Sequence, residues 1–101
     1  MIVTVSTFNE TGAQLQEGVR HVKDEVVPSV RGAPGLQAGY WVMDLEHGQR
    51  LSILVWESAD AASAAMPSVM AAVKRRRDEA GLDQPQGSPD SSRRFEVFAQ
   101  V

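Results

Sequence analysis

The chain has 101 residues, 43% hydrophobic and 23% charged, which is the composition of a globular protein and the length of one domain, expected over residues 1–101. A net charge of -3 and a pI near 5.3 give no long-range attraction for phosphate backbones or anionic lipid, so neither nucleic acid nor a membrane is expected as a partner. With no cysteine there is no disulfide framework, thiolate metal site or cysteine nucleophile.

The opening "MIVTVSTF" alternates like a strand and lacks a basic leader with an apolar core, and no run reaches the ~18 apolar residues that cross a bilayer; a cytoplasmic protein is expected. Strand one covers residues 2 to 8 and ends at the turn-forming "NETG". Thr11 and Gln14 have capping-box spacing, and Leu15, Val19, Val22, Val26 and Val30 then form one apolar stripe, which predicts a first helix. Pro28 lacks a backbone donor and clashes with the preceding turn, so that helix is expected to end or kink near Val27.

"RGAPG" is loop chemistry, strand two runs from about Leu36 to Leu45, and Gly48 in "EHGQ" supplies the reversal into strand three, "RLSILVWE". Ser58 is placed to cap a second helix with the stripe Ala62, Ala65, Met66, Val69, Met70 and Val73, and Pro67 is expected to divide it in two. Lys74 to Arg77 read as a solvated cationic helix end. Residues 80 to 92 are expected to be a loop, and "RRFEVFAQV" a fourth strand.

The order β-α-β-β-α-β predicts an α+β, ferredoxin-like antiparallel sheet with both helices on one face. Strands two and three are apolar on both parities, so the sheet face away from the helices needs a cover. The set containing Trp41, Met43 and Leu54 is assigned to that face, although alternation alone leaves the two faces interchangeable. A second copy of the sheet is the economical cover, giving a homodimeric α/β barrel.

With this topology, the Pro34-Gly35 pair and the Trp56-Glu57-Ser58 end of strand three, the chain resembles the antibiotic biosynthesis monooxygenase-like family of dimeric α/β-barrel proteins over nearly its whole length. The resemblance implies a homodimer with a pocket between helices and sheet in each subunit; it leaves the activity open, because the fold hosts several chemistries. The family's haem-degrading branch implies an Asn on strand one and an iron-binding His on helix two. Val5 stands at the first place and no His follows His47, so haem degradation is not expected. The cofactor-free oxygenases imply an Asn four residues before the Trp and a Tyr six after it, where this chain has Ser52 and Ala62.

Within that frame Trp56 and Arg76 are the candidate catalytic residues, Trp56 stacking on a flat ligand and Arg76 clamping an anionic oxygen. Trp41, Tyr40 and His21 join Trp56 as candidate ligand contacts; Tyr40 and Trp41 face opposite ways, so at most one lines a given cavity, and His21 is a candidate general base. Each has a plainer reading: Trp56 and either Tyr40 or Trp41 as packing, His21 as a hydrogen-bonding surface residue, and Arg76 as part of the solvated helix end. No metal is expected, since Glu46 with His47, or Asp44 with His47, gives two groups in one hairpin tip and not the three or four convergent ligands that a metal site needs. No cofactor is expected. The leading expectation is a cofactor-independent monooxygenase-like enzyme acting on a small apolar or aromatic compound, and the competing one is a non-catalytic dimeric binding or stress-related protein.

Overall fold

The computed structural model describes residues 1–82 and 88–101. The elements are β1 (Ile2–Asn9), α1 (Gly12–His21), a π-helical segment (Val22–Val26), α2 (Val27–Val30), β2 (Leu36–Asp44), β3 (Gln49–Trp56), α3 (Ala59–Glu79) and β4 (Ser91–Glu96). The strands form one antiparallel sheet in the order β2-β3-β1-β4, which is the expected α+β, ferredoxin-like plan. In the single chain this sheet is open, with β2 and β4 as edges. No described helix is long and apolar enough to cross a membrane.

Thr11 occupies the N-cap position of α1 in extended conformation, but its side chain makes no capping hydrogen bond, so the spacing marks the boundary without the bond that motivates it. The helical run then passes the residue expected to stop it. Immediately before Pro28 the register widens by one residue through Val22–Val26, and the Val27 N–H bonds to the Val22 carbonyl. That places Pro28 in the first turn of α2, where a missing donor costs least, and the run continues to Val30.

Gly35 shows why the chain entering β2 needs glycine. Its φ is +82°, its carbonyl accepts from Glu57 N–H at 2.7 Å, and a Cβ here would lie 2.5 Å from Cβ of Ala61. The Pro34-Gly35 turn therefore docks against the start of α3. The hairpin turns at Gly48, whose φ is +62°.

The Ser58 hydroxyl accepts from Ala61 N–H at 3.0 Å and caps α3 as expected. The expected break at Pro67 does not occur: α3 is continuous over 21 residues. Pro67 is exposed while Ala62, Ala65 and Val69 are buried in one cluster with Val30, Leu54 and Trp56, so burial along one face outweighs the single lost backbone bond. The fourth strand is also displaced from its predicted 93–101. It begins at Ser91, inside the predicted loop, and ends at Glu96. It pairs with β1 from Thr7 to Ile2, and one further bond runs from Val97 N–H to the Met1 carbonyl. Residues 83–87 of the predicted loop lie outside the described residues.

The assignment of the sheet faces is reversed. Leu54 and Trp56 are buried against α2 and α3, with Trp41 packed on the same cluster, so the parity containing them faces the helices. The uncovered face carries Val3 and Val5 on β1, Tyr40 and Val42 on β2, Leu51, Ile53 and Val55 on β3, and Phe95 on β4. Alternation fixes two sets, but only the helices' own apolar stripes, which are small and aliphatic, choose the set with the large Trp rings to pack against.

Because Pro67 is exposed and inside α3, Pro67→Ala is expected to raise stability by about 2 kcal/mol, the propensity gain less the unfolded-chain entropy that proline removes. Urea denaturation reads this directly. An unchanged or lower midpoint would show that the ring makes a compensating contact.

Candidate functional site

Between the helix-facing side of the sheet and the helices lies a cavity of about 900 Å³. Its sheet wall comes from alternate residues of neighbouring strands: Thr4, Ser6 and Phe8 of β1, Trp41 of β2, and Arg50, Ser52, Leu54 and Trp56 of β3. The helical wall is aliphatic where α2 and α3 face the core and ionic where the π-helical segment meets the end of α3. Arg94 of β4 reaches across the open side, its guanidinium donating to the Ser63 hydroxyl at 3.1 Å.

Trp56 is fully enclosed, at 0% exposure, and its indole N–H donates to the Thr4 hydroxyl at 3.3 Å. It backs the cavity wall and presents no open ring face. Trp41, half-buried and on the lining, is an aromatic that a ligand can reach, and its Nε1 has no hydrogen-bond partner among the described residues. Tyr40 is 58% exposed on the opposite face of the sheet, away from the cavity.

Arg76 is not on the cavity lining, and its Nε is buried without a partner among the described residues. The adjacent Arg77 takes the inward place, one residue and ~100° further round the helix. Far from being a solvated helix end, Arg77 is 8% exposed and donates to Glu25 Oε1 at 2.9 Å. The α3 stripe carried one step further, from Val69 through Val73 to position 77, would have found it.

Glu25 is the residue that the sequence reading passed over. It is 2% exposed, yet both oxygens are engaged: Oε1 by Arg77 and by His21 Nδ1 at 3.0 Å, and Oε2 by Arg20. Burial by itself would raise the Glu25 carboxyl, but the hydrogen bonds from Arg20, His21 and Arg77 outweigh it and hold the pKa below 4.5. Glu25 is therefore a carboxylate at neutral pH. His21 lines the cavity, and burial holds its pKa below 6.5 against the opposing pull of Glu25, with Arg77 and Arg50 adding to the depression. The ring is neutral at pH 7. Nδ1 faces two groups, Glu25 Oε1 at 3.0 Å, which only accepts, and Arg77 Nη1 at 3.4 Å, which only donates; the shorter contact to the carboxylate favours the proton on Nδ1, and Nε2 has no partner among the described residues. A His and a Glu four apart beside an apolar stripe were the available signal.

A second ion pair stands at the same end, near His21. Arg50, 4% exposed, bonds Glu10 through Nε and Nη2 at 3.0 and 3.1 Å and stacks over Phe8 at 4.1 Å. At the hairpin tip Asp44, Glu46 and His47 do come within 4.8 Å of one another, all exposed. Asp44 accepts there from the backbone N–H groups of Glu46 and His47, which is the bonding of a closed turn.

No protein-family model and no curated protein matches the chain. Solved structures do. A monooxygenase from the gene ActVA-Orf6 of Streptomyces coelicolor, in complex with nanaomycin D, superposes with a TM-score of 0.71 at 19% identity over 99% of this chain and 89% of that one. SnoaB from Streptomyces nogalater, described as a cofactor-independent oxygenase, gives 0.68 at 16% identity over 99% and 95%. The haem degrader MhuD from Mycobacterium tuberculosis, with two haems bound, gives 0.65 at 18% over 100% and 99%. The chain thus has the fold of the antibiotic biosynthesis monooxygenase group, as its sequence resemblance implies.

The lowered pKa of His21 makes stability pH-dependent. Between its folded value and 6.5 the unfolded chain binds more protons, so this contribution is complete above 6.5 and is lost as pH falls toward the folded value. The urea midpoint is expected to decline with acidification from about pH 6.5, and His21→Asn should flatten that first decline. Equal slopes in both proteins would place the proton uptake elsewhere.

Proposed function

We propose that the protein is a homodimeric, cofactor-independent oxygenase of a small aromatic hydroxyl compound. The observation that carries this reading is the cavity of about 900 Å³, which joins an apolar wall and an accessible Trp41 to a neutral His21 and a few cationic groups. A volume of this size suits a ligand of several fused rings. Trp41 offers the ring contact, Leu54 and Val69 the apolar bed, and Trp56 supports them from behind. Two solved structures of the same fold support the chemistry: one is described as a cofactor-independent oxygenase, and the other is a monooxygenase holding nanaomycin D.

In this reading the substrate itself reduces oxygen. Loss of the hydroxyl proton leaves an electron-rich anion, its ring carbon bonds one atom of O₂, and loss of water leaves the quinone. For 1-naphthol the balance is C₁₀H₈O + O₂ → C₁₀H₆O₂ + H₂O, with all four electrons drawn from the ring. Ser52 and Ala62, which line the cavity where the resembling oxygenases imply Asn and Tyr, favour the alternative of a non-catalytic binder.

An oxygen electrode with 1-naphthol separates the two. The oxygenase reading expects uptake equal to naphthoquinone formed, and Trp41→Ala should weaken binding about tenfold, the equivalent of ~1.4 kcal/mol of lost aromatic contact. Tryptophan quenching without uptake would overturn the oxygenase and leave the binder.

The homodimer rests on the uncovered sheet face. Ile53, Val55 and Leu51 run along its centre with Tyr40, Val42 and Phe95 exposed beside them, and each large side chain left wet forgoes about 1.5–3 kcal/mol. Sedimentation at micromolar concentration is expected to give a dimer, and Ile53→Lys a monomer. A monomeric wild-type chain would remove the second copy from the proposal.

A further inference from the structure

The ionic end of the cavity contains more organisation than ligand binding requires. His21 is presented at the lining by the last turn of α1, and the widened π-helical turn follows at once. Within that turn Glu25 sits four residues on, its Oε1 at 3.0 Å from His21 Nδ1. Arg77, arriving from α3, bonds the same oxygen at 2.9 Å, and Arg20 bonds the other. A carboxylate this deeply buried is expensive to ionise, and three donors converge to keep it ionised. Its bond to the ring has a chemical consequence, because at 3.0 Å it is closer than the 3.4 Å approach of Arg77 Nη1 to the same nitrogen and so favours the proton on Nδ1.

We infer that His21 is the proton acceptor of the cavity, with Glu25 and Arg77 as positioning residues that hold Nδ1–H and leave Nε2 to take the proton of a ligand hydroxyl. This deepens the oxygenase reading and rests on it for the nature of the ligand, which is narrowed to a phenol or enol with its O–H at the ionic end. The step balances simply. The ligand O–H bond breaks, its electron pair stays on oxygen, and the proton forms the Nε2–H bond. The new imidazolium keeps its Nδ1–H on Glu25, and the new oxyanion lies in a field set by Arg77 from α3 and Arg50 from β3. The groups around the ring are Glu25 in the π-helical turn, Arg20 on α1 behind it, Arg77 on α3, and Arg50 with its partner Glu10; Lys74 and Asp78 pair with each other further out on the rim.

Two measurements test this, the first without any ligand. Nitrogen-15 NMR of the wild-type imidazoles is expected to show His21 protonated at Nδ1 and bare at Nε2, titrating below 6.5. Glu25→Gln, which removes the charge that favours the imidazolium, should move the midpoint lower still. A proton on Nε2 in the neutral ring overturns the inference whatever the variant does. The second measurement follows naphtholate absorbance as 1-naphthol is titrated with protein at pH 7. Wild type is expected to raise the ionised fraction about tenfold, one pKa unit, and His21→Asn, which retains a donor toward Glu25 but has no basic nitrogen, should abolish the rise. Equal ionisation with both proteins overturns His21 while leaving the oxygenase to be judged by oxygen uptake. A rise that needs His21 but brings no uptake keeps the proton acceptor and overturns the oxygenase.

Discussion

The buried carboxylate of Glu25 is the constraint on which the arrangement of the helices depends. An ion so removed from water costs several kcal/mol to desolvate, and that cost is recovered only while all its donors stay in place. Those donors come from α1 and from the distal end of α3. The ion cluster therefore sets the separation of the two helical runs at one end of the cavity, while the Val30, Ala62, Ala65 and Val69 contacts set it at the other. A space that narrows to packed apolar residues at one end and is propped by ions at the other stays open in the middle. The cavity is a consequence of how the helices are held apart.

The widened turn before Pro28 belongs to the same constraint. A regular α-helix running into a proline would lose its ladder bond and meet a steric clash in the middle of the run. Inserting the extra residue at Val22–Val26 moves the proline into a first turn, where neither penalty is large, and the same widened turn carries Glu25. One local irregularity thus accommodates the proline and holds the carboxylate beside His21. The placement of π-helical turns beside functional groups is common for this reason: the extra residue reorients side chains without ending the helix.

The sequence made the fold legible because each element had a period and a boundary signal that agreed: Ser58 before α3, Gly48 between β2 and β3, and the valine stripe of the first helix. Where it misled, a local rule met a tertiary contact. Pro67 did not break α3 because one side of that helix is buried against Leu54 and Trp56 along its length. The fourth strand runs from Ser91 to Glu96 because that is the stretch in register with Thr7 to Ile2 of β1, which no property of "RRFEVFAQV" encodes. The site was less legible for a related reason. Trp56 looked like a ligand contact from its chemistry and its place in the resemblance, but a tryptophan that is a good stacking platform is also the largest piece of core available, and here the core claimed it. Arg77 was hidden inside a run of four cations that reads as solvated, although only its angular position distinguishes it from Arg76.

Strand β3 shows how one eight-residue segment can serve two surfaces without conflict. Its inward residues, Arg50, Ser52, Leu54 and Trp56, pass from ionic to apolar along the strand and so reproduce the polarity of the cavity they line. Its outward residues are Gln49 at the hairpin end and then Leu51, Ile53 and Val55, an unbroken apolar run over the rest of the strand. The difference follows from what each side must do. A cavity that orients a ligand needs unlike ends, whereas a face that meets a copy of itself about a two-fold axis needs apolar shape that complements its own. The outward run from Leu51 to Val55 and the inward passage from Arg50 to Trp56 thus tie the proposed assembly and the proposed chemistry to the alternation of a single strand.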